Sequence, residues 1–300
     1  MPKAVYKHNS SPKDFIRKKW VAFAKEIFGD QERDFSILTF PAEAMQDLHL
    51  FKDEGLIDWE EAESKSVDGT PNFRIIKGNV RCFEKDPKIQ RKLSEKLIEA
   101  KVEADFIPYI AANYSFIISG KNKTFPVDVV NLDFDGRMQA SVKYPFDATI
   151  KSVFEFQKKY SRNFSLFLTW PVAEGEDLNE YKTLLHDVIE GNLNDPAALK
   201  FKASFEASVG TIDKLKYEQK SIIGVTKVVI KKASQNLYTL NKHEFYVYGD
   251  EKLSVGGRKR IISLLFNFTY EGKAGQENII YAKDVVSAMS TITDINKAKP

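Results

Sequence analysis

The chain has 300 residues, 43% of them apolar, enough for one large domain or two small ones around a real core. Its 45 lysines and arginines nearly balance 42 aspartates and glutamates, so the net charge of +3 gives no general argument for a nucleic-acid partner. One cysteine, Cys82, excludes an intrachain disulfide and a cysteine-based zinc site. The four histidines are scattered and no run of 18 apolar residues occurs, so the expectation is a soluble, cytoplasmic protein.

In chain order, residues 1–34 read as a leader followed by a helix. Ser11 can cap it, Pro12 suits its first position, and Asp14 suits the positive end of its dipole. Phe15, Ile16, Trp20, Phe23, Ala24 and Ile27 recur at helical spacing up to Phe28, and Gly29 stops the run. FSILTF (35–40) reads as a strand, and the stretch from Pro41 to Ile57 as a helix with Met45, Leu48 and Phe51 on one face. The acidic stretch 58–72 reads as surface loop. Residues 74–86 hold a second strand or a close pair of strands, ending acidic at Glu84, and 87–101 an amphipathic helix. The apolar, aromatic run 106–118 is expected to hold a strand. VDVVNLDF (127–134) is a buried strand, 147–160 a helix, and FSLFLTWP (164–171) another buried strand. Residues 176–233 read as helices broken at Gly191, Pro196 and Gly210, a candidate insertion in a domain spanning 35–300. Two strand-like runs, 242–250 and 258–272, flank a polar turn, as in an antiparallel hairpin, and a short helix is expected at 283–290. Alternating strands and helices predict an α/β fold with a doubly wound, mostly parallel sheet, and the hairpin adds antiparallel strands at its edge.

Three stretches then carry a resemblance. ILTFPAEAMQDL places a strand, a tight turn (Phe40, Pro41, Ala42, Glu43, Ala44) and a helix in succession. VRCFEKDP ends a strand on Glu84, and VVNLDFDG runs a buried strand into Asp133 and Asp135. This order resembles the Rossmann-like class I S-adenosylmethionine-dependent methyltransferases, whose last two of seven strands form a hairpin. The resemblance implies a cofactor site made by Phe40, Pro41, Ala42, Glu84 and Asp133. Glu84 would accept the ribose hydroxyls, and Asp133, with Asn131, would orient the nucleophile or take its proton. Phe134, Asp135 and Trp170 would face the substrate, Trp170 on the same cleft edge as Asp133. The turn after the first strand departs from the family in having no glycine. NLDF keeps the polar-to-aromatic spacing of the DNA amino-methyltransferase motif but neither of its prolines.

Other readings stand beside this one. Glu84 could belong to the cap of the helix at Pro87, and the two aspartates could simply terminate a strand. A glycine-free turn also fits a methyltransferase-like accessory subunit that binds a partner. DFDG resembles the first motif of haloacid-dehalogenase-type phosphatases, with Asp133 as nucleophile, Asp135 as general acid and magnesium balancing their charge. Thr169, Lys200 or Lys214, and Asp250 would complete that set. Arg258, Lys259 and Arg260 form a basic spot that fits nucleic-acid phosphates or a solvated hairpin tip. Cys82 reads as a small buried apolar residue.

Overall fold

The computed structural model describes residues 11–65, 69, 71–134, 146–171, 189–191, 193, 194, 196, 202, 203, 205–207, 210–215, 217–250, 259–273, 293 and 294. Helix α1 runs Ser11–Phe28, and the Gly29 N–H closes it onto the Lys25 carbonyl at 2.8 Å. Its buried stripe is Ile16, Trp20, Phe23 and Ala24. Strand β1 (Ser36–Thr39) follows, then α2 (Gln46–Asp53). The turn 40–44 is longer than expected, because Met45 takes a left-handed conformation (φ 49°) just before the helix.

Residues 58–65 are not loop. They form β2 (Asp58–Lys65), paired antiparallel with β3 (Pro71–Lys77) through Trp59↔Ile75 and Glu61↔Phe73. Gly78 (φ 83°) then turns the chain into β4 (Asn79–Phe83). A Cβ at this glycine would lie 2.9 Å from Ile57 Cγ2 and 3.0 Å from the Phe35 carbonyl oxygen, so no other residue fits. The 74–86 run therefore divides between two sheets.

Helix α3 (Pro87–Lys96) is capped by Asp86, which accepts from the Lys88 N–H at 2.8 Å. It ends before the expected Lys101, because Leu97–Ile98 becomes β5, parallel to β3, and Lys101–Glu103 becomes β6, parallel to β4. Phe106–Ile118 is helix α4 rather than a strand, burying Phe106, Ile110 and Ile117 at helical spacing. Then come β7 (Val129–Asp133), α5 (Phe146–Lys158), β8 (Phe164–Pro171), a single 3₁₀ turn (Ile212–Lys214) and α6 (Tyr217–Gln235). Strands β9 (Tyr238–Asp250), β10 (Lys259–Tyr270) and β11 (Thr293–Asp294) complete the chain order. Residues 172–188, the hairpin turn 251–258 and the expected helix at 283–290 lie outside the described residues.

The main sheet has the order β11-β9-β10-β8-β7-β1-β4-β6. It is parallel from β8 to β6, with the β9–β10 hairpin antiparallel beside β8. The expected doubly wound sheet and terminal hairpin are present. The edge strand β11 and the small sheet β2-β3-β5 were not expected. Ile37, Val129 and Phe167 pack toward α1, α2 and α3, while Leu38, Val130 and Leu168 pack toward α4, α5 and α6. Fully burying such a side chain contributes roughly 1.5–3 kcal/mol, so a one-residue slip of β7 or β8 would be strongly disfavoured. Cys82 is fully buried, and that burial pushes its thiol up to about 12, which makes it a packing residue. Among the described residues no helix is long and apolar enough to cross a membrane.

Candidate functional site

In an open doubly wound sheet, the ligand crevice lies outside the carboxyl ends of the strands, where the strand order reverses. Here that point is the boundary between β1 and β7, since β4 and β6 extend the sheet one way and β8 the other. Thr39 closes β1 at this boundary and Asn131 lies across from it. The Asn131 Nδ2 donates to Thr39 Oγ1 at 3.1 Å, and both residues are fully buried. Among the described residues the Asn131 Oδ1 has no hydrogen-bond partner, although it is out of reach of bulk water. An orphaned buried acceptor is costly and calls for an explanation.

A polar row continues along the sheet face that carries α1. Asp133 pairs in register with Thr169, and Thr169 with Ser263. The Thr169 and Ser263 hydroxyls are 2.9 Å apart, and Trp20 Nε1 donates to Ser263 at 3.1 Å. This contact fixes α1 across the sheet and brings its first turns over the crevice.

Two cations from those turns meet the carboxylates below. Lys13 Nζ lies 3.0 Å from Asp133 Oδ2, with side chains 20% and 17% exposed. The Asp133 carboxylate raises the Lys13 pKa, outweighing the opposing effect of burial. Arg17 Nε lies 2.7 Å from Asp47 Oδ1 at the start of α2, and its Nη1 lies 3.0 Å from Asp14. Burial pushes the Asp47 carboxyl above its ordinary value, and Arg17 pulls partly the other way.

The other face of the crevice is aromatic. Phe40, half-buried just beyond β1, meets Phe134 with ring centroids 6.0 Å apart, and Phe106 at 5.6 Å. Pro41 is buried, while Ala42, Glu43 and Ala44 are exposed, Glu43 in an ion pair with Lys92. At the tip of β4, Glu84 is half-buried and accepts from the Asp86 N–H at 2.8 Å. The helix cap is thus Asp86, and Glu84 stands two residues before it. Burial raises the Glu84 pKa.

The structure brings Phe40, Asn131, Asp133 and Phe134 to one switch point, with Glu84 at the neighbouring strand tip. Trp170 is buried on the sheet face opposite Asp133, in the α4–α6 core against which Phe40 and Phe134 pack, because residues alternate along β8 and Thr169 is the one beside Asp133. Asp135, Lys200 and Arg258 lie outside the described residues. Lys259 and Arg260 begin β10, opposite Asp250 and Gly249. Asp133 ends the fourth strand of the main sheet in chain order, and Asp250 ends one arm of the antiparallel hairpin. Neither is the first-strand, parallel-core placement of the phosphatase motif set. Sequence reading missed Lys13, Arg17 and Asp47. Their signal was present, since Lys13 and Arg17 fall on the apolar stripe of α1, at i−3 from Ile16 and Trp20.

No family model matches the chain, and no curated protein matches it. Among solved structures it is similar to M. jannaschii TYW2 in complex with AdoMet, at 12% identity over 88% of this chain and 79% of that one, with a TM-score of 0.39. It is also similar to the plantazolicin methyltransferase BpumL in complex with SAH and a triazolic desmethylPZN analog, at 8% identity over 87% and 86% of the two chains, with a TM-score of 0.39. At those scores neither likeness bears on the reaction. The strand order of the chain itself, with its parallel core and antiparallel terminal hairpin, is that of a Rossmann-like doubly wound fold.

Proposed function

We propose that the chain binds S-adenosylmethionine at the β1–β7 switch point and acts as a methyltransferase on an acceptor still to be identified. The observation that carries this is the placement of two carboxylates, Glu84 and Asp133, at strand tips on either side of β1, beside the half-buried rings of Phe40 and Phe134. These residues fit an adenosyl group. Aromatic faces suit the base, and a carboxylate at the β4 tip suits a ribose diol. The exposed Ala42 and Ala44 leave the turn small, although it has no glycine.

When bound, the sulfonium supplies an electrophilic methyl group, which passes in line to a nucleophile while sulfur keeps the bonding pair. The work of the protein is then positioning. In this reading Asp133 orients the acceptor and receives its proton, and Lys13, 3.0 Å away, holds that carboxylate from above.

Titration calorimetry of the wild-type chain and a Glu84→Ala variant with S-adenosylmethionine and S-adenosylhomocysteine tests the reading. Losing hydrogen bonds to a carboxylate should weaken binding roughly tenfold to a hundredfold. The wild-type affinity should also fall with acidification, beginning above the ordinary glutamate range, because protonating Glu84 removes an acceptor and its pKa is raised. A well-folded protein that binds neither ligand would favour the accessory-subunit reading. The Phe40 ring, packed against Phe83, Phe106 and Phe134, is the observation on that side.

A further inference from the structure

Helix α1 reaches across the crevice with two cations spaced one turn apart. Lys13, Arg17 and Trp20 stand at i, i+4 and i+7, so they share one helix face. Trp20 is held by the Ser263 hydroxyl at 3.1 Å. Arg17 bonds Asp47 at the start of α2, which follows β1, and Lys13 reaches Asp133 at the tip of β7. The helix therefore bridges the two sides of the β1–β7 boundary, and its first turn sets a primary amine on the carboxylate at the β7 tip.

The two ion pairs differ in setting. Arg17 and Asp47 are both buried, and their pair belongs to the packing of α1 on α2. Lys13 and Asp133 are only part-buried, and an ion pair that keeps contact with water adds little to stability. It does occupy the carboxylate, so that an acceptor from outside must first displace the Lys13 ammonium. The pair also has the arrangement that general-base catalysis at an amine requires, with nitrogen and carboxylate 3.0 Å apart and within hydrogen-bond reach.

We propose that Lys13 is itself a methyl acceptor, so that the chain methylates its own Nζ; the inference rests on S-adenosylmethionine binding at the switch point. The Lys13 ammonium gives one proton to the Asp133 carboxylate. The freed lone pair forms the N–C bond to the sulfonium methyl as the S–C bond breaks, and sulfur keeps that bonding pair. The products are N-methyl-lysine, carried as its ammonium, and S-adenosylhomocysteine, and the proton leaves Asp133 to solvent. In the free chain Asp133 holds the Lys13 pKa up against burial and Arg17. A sulfonium beside the amine adds a positive charge, which disfavours the ammonium and promotes that proton transfer. Holding amine and methyl in one crevice makes the step intramolecular.

Incubation of the full chain with methyl-labelled S-adenosylmethionine, followed by peptide mapping in a mass spectrometer, tests this. Calorimetry with the same ligand runs in parallel on the wild type, Lys13→Arg and Asp133→Asn, with thermal unfolding as the check that each is folded. The label should appear on Lys13 at a rate independent of protein concentration. It should be absent from Lys13→Arg and arrive roughly a hundredfold more slowly, or slower still, in Asp133→Asn. A second readout needs no turnover. Bound S-adenosylhomocysteine should protect Lys13 from acetic anhydride, while Lys77, at the amino ends of the strands, stays as reactive as before. Calorimetric binding without label on Lys13 overturns the proposal and leaves the cofactor reading standing. Label confined to other lysines, or a rate that climbs with protein concentration, also overturns it. Absence of binding overturns both.

Discussion

Replacing Arg17 by Met will destabilise the protein by about 3–5 kcal/mol at neutral pH, the usual cost of removing one partner of a buried ion pair. Arg17 and Asp47 are 5% and 7% exposed at their side chains, with Nε and Oδ1 2.7 Å apart. The methionine would fill much of the same volume, but the Asp47 carboxylate would be left buried without its closest cation. The pH dependence identifies the cause. The folded-state pKa of Asp47 is raised by burial above its unfolded value. Its contribution to stability is therefore present at low pH and lost as pH rises through the folded pKa. Removing Arg17 raises that pKa further and widens the window of loss. The difference between variant and wild type in urea unfolding should accordingly grow with pH and shrink on acidification. A difference that does not vary with pH would assign the effect to lost packing alone.

The second large effect lies at the opposite end of the same strand pair. Asp128, just before β7, is fully buried and accepts from the backbone N–H and hydroxyl of Ser36 at 2.8 and 3.0 Å. It also accepts from Arg33, through both Nη atoms, and from Arg162 Nη2 at 3.0 Å. This carboxylate ties the amino ends of β1 and β7 to the segments that precede and follow them. Asp128→Ala will lower stability by about 3 kcal/mol, because Ser36 loses its acceptor and two guanidinium groups lose their counter-charge. The arginines are 44% and 24% exposed and can partly rehydrate, which keeps the effect below that of Arg17. The urea midpoint should fall with the slope unchanged. Since Asp128 is remote from the carboxyl ends, ligand affinity of the folded variant should match the wild type.

The elements that were readable in the sequence are those with a clean period. The apolar stripe of α1, the buried runs of β7 and β8, and the alternation across the β9–β10 hairpin each reappear in the structure close to their expected ranges. The failures have identifiable causes. Strand β2 buries only Trp59 among otherwise exposed or half-exposed residues, so its acidic run looked like loop. Helix α4 carries no charged residue on any side, which weakens the 3.6-residue contrast and leaves an aromatic run that reads as a strand. In α3 the helical pattern continues past Lys96, but pairing of Leu97–Ile98 with β3 takes over. At the site, Asp133 and Glu84 were legible because strand ends followed by acids are local signals. The Lys13–Asp133 pair spans 120 residues of sequence, and only the docking of α1 through Trp20 and Ser263 reveals it. Trp170 shares the sheet face of Phe134 and not that of Asp133, because register decides which side a strand residue takes.

The most direct test of the central claim is a crystal structure of the chain grown with S-adenosylhomocysteine. The account predicts the ligand at the boundary of β1 and β7, its ribose against Glu84, its base against Phe40 or Phe134, and its sulfur toward Asp133. A ligand bound away from that boundary, or a crevice that stays closed at saturating ligand with Phe40 and the Lys13–Asp133 pair in place, would contradict it.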